Sequence, residues 1–229
     1  MARLSSLAVT TTLVNSDFSS AMIWVVNFPF CNFYSLERYL RVRSRDYQLL
    51  SATDQLSPDD TILLPGVGTF RQGMEYLKAT GLASLILAHA QAQGRVIGIC
   101  LGMQMLLQAS AESPGTDGLG LIAGTCERIP ASPSFSVPHI GWNSLVLPAS
   151  LHRSVEQIGP PLGSSSSDFY FVHSYYAKPV SADAVIAGFQ HPTGLLAAAV
   201  AHDAVMGFQF HPEKSGSAGY ALLDYILDR

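Results

Sequence analysis

A single α/β domain, a mostly parallel sheet with helices against it, is the fold class this sequence predicts. Three observations predict it. Continuous apolar runs with β-branched residues, Ile23 to Val26, Thr61 to Leu64 and Val96 to Ile99, have the pattern of strands buried on both faces. Stretches with apolar residues at helical spacing follow these runs. The 229 residues are 48% hydrophobic and only 13% charged, enough to bury one substantial core and unlike a disordered composition.

Met22 to Asn27 is the first clear strand, and a helix follows in which Ser35 can cap and Leu36, Tyr39 and Leu40 share a face before the basic end Arg41-Val-Arg43. The second buried strand, Thr61 to Leu64, stops at Pro65-Gly66-Val67-Gly68. Met74 and Leu77, then Leu82, Leu85, Ile86 and Leu87, read as two helical pieces parted at Gly81. Val96 to Ile99 is a third strand with Cys100 at its end, and Leu101 to Ala109 continues as a helix with no turn residues between: an elbow. Ser113 to Leu145 is richer in Gly and Pro and predicts short antiparallel strands and loops. Ser164 to Ser167 reads as a linker. Phe169 to Val172, Leu195 to Val200 and Val205 to Phe210 are further strands, and Tyr220 to Leu227 is a closing helix.

Thirteen basic residues against seventeen acidic ones, with no basic run, argue against a nucleic-acid partner. Cys31, Cys100 and Cys126 are odd in number and widely spaced, which fits neither a disulfide framework nor a zinc site and suits a reducing cytoplasm. No apolar run approaches a membrane span. Residues 1–21 are Ser- and Thr-rich, lack the basic region, unbroken apolar core and cleavage site of a signal peptide, and are expected to be a disordered extension. Met22 at the head of the first strand predicts a translation start there, with residues 22–229 forming the domain.

Gly98-Ile99-Cys100-Leu101-Gly102 places a thiol between glycines at a strand-to-helix junction, where a nucleophile needs a tight backbone that flanking side chains would obstruct. Helix-start N–H groups favour a thiolate and can bind a developing oxyanion, with the Leu101 amide the natural donor. Alone, the same cysteine fits equally well as a buried packing residue. Phe208-Gln209-Phe210-His211-Pro212-Glu213 delivers an imidazole and, two residues on, a carboxylate that can orient it; without Cys100 this would read as a surface turn. The glycines of Pro65 to Gly68 let a backbone amide turn toward a ligand, although the segment also fits a plain turn, and it matches no phosphate-binding loop.

Together, Gly98-Ile-Cys-Leu-Gly-Met-Gln104 and Gln209-Phe-His-Pro-Glu213, in that order, resemble the class I glutamine amidotransferase family. More narrowly, Pro65 to Gly68, Pro138-His-Ile-Gly-Trp-Asn143, Tyr170-Phe-Val-His-Ser-Tyr175 and His211-Pro-Glu-Lys-Ser-Gly216 resemble the glutaminase subunits of imidazole glycerol phosphate synthases, over nearly the whole chain from Met22. The resemblance implies a flavodoxin-like class I glutamine amidotransferase domain, a mixed, mostly parallel sheet flanked by helices. It implies Cys100 as nucleophile, His211 as general acid and base, Glu213 orienting His211, and the Val67 and Leu101 amides as oxyanion hole. Gly68, Gln104, His173, Ser174 and Tyr175 would line the pocket for L-glutamine, with His173 a substrate contact rather than the base. No cofactor or metal is implied. The ammonia would pass to a separate (β/α)8 cyclase subunit in a heterodimer, met by Asn32, Trp142, Asn143, Tyr170 and Lys214, for ring closure in histidine biosynthesis. Without the resemblance, Trp142 would read as a core residue and Lys214 as a solvated one.

One segment departs from the family. Its Gly-rich loop after the first strand reads here Asn27-Phe28-Pro29-Phe30-Cys31-Asn32-Phe33, bulky and stiff at the expected partner face. That departure bears on the partner, and related glutaminase subunits feed ammonia to surface-sugar amidination. A catalytically inactive regulatory subunit is a second alternative, against which the intact triad stands. A cysteine peptidase or amidase on the same elbow is a third, disfavoured by the Gln104 and His173 to Tyr175 matches.

Overall fold

The computed structural model describes residues 21–31, 33–147 and 168–229. Asn32, the expected extension through residue 20 and the Ser164 to Ser167 linker lie outside the described residues.

In chain order the strands are β1 (Ile23–Val25), β2 (Tyr47–Leu49), β3 (Thr61–Gly66), β4 (Arg95–Cys100), β5 (Ala109–Ser110), β6 (Gly124–Arg128), β7 (His139–Ser144), β8 (Asp168–His173), β9 (Tyr175–Pro179), β10 (Val185–His191), β11 (Gly194–His202) and β12 (Val205–Phe208). The helices are α1 (Tyr34–Val42), α2 (Phe70–Ala79), α3 (Leu82–Gln91), α4 (Leu101–Met105) and α5 (Gly216–Leu227). Seven strands form the main sheet in the order β10-β11-β12-β4-β3-β1-β2. From β12 to β2 every pairing is parallel, and β10 and β11 add an antiparallel edge. This is the mixed, mostly parallel sheet expected.

Side chains of successive strand residues point to opposite faces, so each central strand feeds two cores. Leu63, Ile97, Ile99 and Phe208 pack with Leu36, Leu40, Leu222 and Ile226 of α1 and α5. Ile62, Leu64 and Val96 pack on the other side with Met74, Leu77, Ile86 and Leu101 of α2, α3 and α4. Both layers are fully buried, which explains why β3 and β4 read as unbroken apolar runs. Thr69 caps α2 in a reciprocal box with Gln72, and Gly81, at φ +79°, lets the chain turn from α2 into α3.

The remaining strands form a three-stranded sheet, β5-β6-β9, and the antiparallel pair β7-β8. Along that pair the outer face carries Ile140, Trp142, Tyr170 and Val172, with Trp142 58% and Ile140 62% exposed. The inner face carries His139, Phe169, Phe171 and His173, all buried.

Three local expectations are corrected. Ser35 does not cap α1; the position before the helix is Phe33, without a side-chain cap. The helix after Cys100 ends at Met105, short of Ala109, because the carbonyls of Met105, Leu106 and Leu107 accept from Leu119, Ile122 and Gly120 instead of from the next helical turn. The last sheet strand stops at Phe208: Gln209 still bonds Ala198, but His211 turns away to bond the Tyr170 carbonyl at 2.9 Å. Among the described residues, no helix is long and apolar enough to cross a membrane.

Candidate active site

Sheet order brings the motifs together. β3, β4 and β12 are parallel neighbours, with Gly66 opposite Cys100 and Phe208 opposite Ile99. The segments that leave their carboxyl ends, Pro65 to Gly68, Cys100 to Gln104 and Gln209 to Glu213, therefore converge above one edge of the sheet, where open α/β sheets place their ligands.

Cys100 is the last residue of β4 and the one that precedes α4, with φ +56° and ψ −110°. A non-glycine residue there carries strain of about 1–3 kcal/mol, held by its surroundings. The flanking glycines make that hold possible. A Cβ at Gly98 would stand 2.6 Å from the Met103 backbone nitrogen, and one at Gly102 would overlap the Leu64 carbonyl. The thiol is buried, 7% exposed, and Leu101 supplies the first amide of α4.

His211 and Glu213 flank Pro212 at the start of a single 3-10 turn, and Ser215 ties the turn by donating to the His211 carbonyl at 2.6 Å. His211 Nδ1 donates to Glu213 Oε1 at 2.7 Å, with side-chain exposures of 3% and 8%. That fixes the tautomer and leaves Nε2 as the working atom. Nε2 is buried with no well-aligned hydrogen bond, yet close enough to Cys100 for the two groups to act on each other. Burial disfavours the imidazolium, but Cys100 and Glu213 outweigh it and push His211 up to about 10.

In front of Cys100 lies a cavity of about 350 Å³ lined by Val67, Gly68, Leu101, Gln104, Glu112, Pro138, Ile140, Val172, His173, Ser174 and Tyr175. Every residue expected to hold the substrate is on its wall. His173 contributes shape rather than a free nitrogen: Nδ1 faces the Tyr175 carbonyl at 2.9 Å and Nε2 faces His139 at 2.9 Å. Gln104 Nε2 donates to the Tyr175 carbonyl and to Gln209 Oε1, both at 3.1 Å, and Gln209 Nε2 reaches Cys100 Sγ at 3.9 Å.

Sequence reading gave no role to Glu112, nor to Gln209, His139 and Cys31, which stand in segments it singled out. Glu112 is a lone acid in a short loop, with no local pattern to mark it; its Oε2 accepts the Phe70 N–H at 2.6 Å at the head of α2. Cys31 stands with His211, Glu213 and Lys214 around a second cavity of roughly 20 Å³. Burial raises the Cys31 thiol, opposed by the Val67 N–H beside it and reinforced by Glu213 and Cys100. Of the expected partner contacts, Trp142 and Tyr170 pair across β7-β8 with rings 5.8 Å apart, and Lys214 is exposed. Asn143 faces inward to His139.

The profile of the family described as glutamine amidotransferase class-I matches residues 25–224. The imidazole glycerol phosphate synthase subunit HisH of Methanothermobacter thermautotrophicus is 40% identical over 207 residues, covering 90% of this chain and 98% of its own. That of Geobacillus thermodenitrificans is 38% identical, covering 89% and 93%. Among solved structures, a glutamine amidotransferase superposes with a TM-score of 0.67 at 16% identity over 90% of this chain and 97% of its own. The PurLQS structure from Thermotoga maritima reaches 0.66 at 18%, over 91% of this chain and 98% of the matched one, and at such identities the likeness speaks for the fold. With its profile match spanning nearly the whole chain and relatives named HisH at up to 40% identity, this chain belongs to the class I glutamine amidotransferase family, within the HisH group.

Proposed function

We propose that this chain is the glutaminase subunit of an imidazole glycerol phosphate synthase, hydrolysing L-glutamine to glutamate and ammonia and supplying the ammonia to a (β/α)8 cyclase partner in histidine biosynthesis. The observation that carries the chemistry is the meeting of a strained, buried Cys100 with a His211–Glu213 pair above one glutamine-sized cavity.

Cys100 Sγ attacks the side-chain carboxamide carbon of glutamine while His211 Nε2 holds the thiol proton. The oxyanion that forms is held by the Leu101 and Val67 amides. His211 returns the proton to the leaving nitrogen, ammonia departs, and a γ-glutamyl thioester remains. Water then attacks the thioester with His211 taking its proton, glutamate leaves, and the thiol is restored. Glu213 keeps Nδ1 protonated throughout. The second Glu112 oxygen and the Gln104 oxygen suit the α-ammonium of an amino acid, and no cofactor is needed for any step.

The 20 Å³ cavity at His211, Glu213 and Lys214 is large enough for one water or ammonia molecule. The partner covers the outer face of β7-β8, where Ile140, Trp142 and Val172 are exposed and Tyr170 is half-buried.

The test is glutamate release by the chain alone and mixed with its cognate cyclase plus the cyclase's nucleotide ligand. Strong activation that vanishes in Cys100→Ser is the expected result. Activity indifferent to that cyclase would move the acceptor to another pathway, such as sugar amidination, and no activity in either condition would favour a regulatory subunit.

A further inference from the structure

Two buried histidines face each other across β7 and β8, His139 behind His173 on the cavity wall, and a single carbonyl fixes both their tautomers. The Tyr175 carbonyl can only accept, so His173 Nδ1, 2.9 Å away, carries the proton and donates. In a neutral ring that leaves Nε2 bare, and 2.9 Å from it lies His139 Nδ1, which must be the donor. His139 Nε2 is then bare in turn and accepts from Asn143 Nδ2 at 3.4 Å. Neutrality is secured by the surroundings. Burial, aided by His191, lowers His139 to about 4, and burial lowers His173 to about 3 against the favourable Tyr175 bond.

The same carbonyl accepts Gln104 Nε2, whose second hydrogen goes to Gln209 Oε1. Both hydrogens of the Gln104 amide are thereby committed within the protein. What Gln104 offers the cavity is its oxygen, an acceptor. Turning the amide over would set its oxygen against the Tyr175 carbonyl and the Gln209 oxygen, so the network admits one orientation.

We infer that His139 is a positioning residue for substrate recognition: through His173 and the Tyr175 carbonyl it holds Gln104 with its amide oxygen toward the cavity, as an acceptor for a ligand N–H. The inference rests on the glutaminase reading for the identity of that ligand. His139 itself is sandwiched between Phe171 and Phe189, each with ring centroids 4.8 Å away, so its plane is set by packing and its Nδ1 by the tautomer. Without the Nδ1 donor the buried His173 Nε2 has no proton to accept, and the ring satisfies it only by turning toward the cavity it lines, off the Tyr175 carbonyl.

Two measurements test it. Long-range proton–nitrogen spectra of the full-length chain are expected to show both His139 and His173 protonated at Nδ1 and bare at Nε2, the form that free histidine populates less; an Nε2 proton on either ring overturns the inference. His139→Phe keeps the aromatic sandwich without the donor, and His139→Asn returns an N–H near the Nδ1 position. The phenylalanine variant is expected to raise the KM for glutamine about tenfold, the worth of one hydrogen bond, with kcat within about twofold. The asparagine variant is expected to recover the KM. A parental KM in His139→Phe, or equal impairment in both variants, overturns the positioning role. Because the spectra need no turnover, an inactive parent would count against the glutaminase reading while the tautomers stand or fall separately.

Discussion

At Cys100 the chain accepts a left-handed φ for a residue with a side chain, and the neighbouring glycines explain how. Gly102 has no room for a methyl against the Leu64 carbonyl, so Gly102→Ala must shift the elbow. A displacement near 1 Å at the nucleophile predicts a loss of glutaminase rate on the order of 10²-fold, measured under saturating partner, with the melting temperature as the control for folding. Glu213→Gln keeps a hydrogen-bond acceptor for His211 but removes the charge that favours its protonated form. Its kcat is expected to fall by roughly 10²–10⁴, the range a positioned acid–base pair supplies. A kcat unchanged by that substitution would remove Glu213 from the triad. These residues were legible in the sequence because a thiol between glycines and a His-Pro-Glu run each carry a local pattern. Glu112 and His139 were not, since one is a lone acid in a loop and the other gains its meaning only from cross-strand pairing with His173.

Among the elements, the buried strands were readable because double-sided burial writes itself as an unbroken apolar run. β2, β9 and β10 escaped notice: β2 has three residues, and the others mix Tyr, Ala, Gly, Lys and Gln, so no clean periodicity marks them. The bulky loop after β1 has a packing explanation. Phe28 is 1% exposed and clusters with Phe30 and Tyr76 of α2, centroids 5.3 and 5.2 Å away, and Phe30 lies over Gly68. The loop thus braces α2 and the Pro65 to Gly68 turn through aromatic contact. Phe28→Ala is expected to cost about 3–5 kcal/mol, read from denaturant unfolding, because it empties a filled site. A cost below about 1 kcal/mol would show that the cluster does not brace the loop. Among the described residues of the loop, Asn27, Pro29 and Phe30 stay exposed, Phe30 by 38%.

For the molecule as a whole, one sheet sets both cores and the site, and stability responds to pH through the same histidines that shape the pocket. His139 and His173, held at about 4 and about 3, bind fewer protons folded than unfolded below pH 6.5. Their contribution is therefore fully present above pH 6.5 and is lost as pH falls toward 3. His211, raised to about 10, contributes with the opposite sign, present below pH 6.5 and lost as pH rises through 10. Melting temperature against pH is expected to fall more shallowly on the acid side in His139→Asn than in the parent; identical acid limbs would contradict the account. The fold class followed from composition and strand pattern, whereas the placement of three distant motifs at neighbouring strand ends follows only from sheet order. The claim that this arrangement makes Cys100 the nucleophile toward glutamine is tested most directly by treating the full-length chain with an electrophilic glutamine analogue and mapping the adduct by peptide mass spectrometry. The account predicts one glutamyl-type adduct, on the peptide containing Cys100, and blocked by excess glutamine. Labelling of Cys31 or Cys126 instead, or no adduct that glutamine competes for, would contradict it.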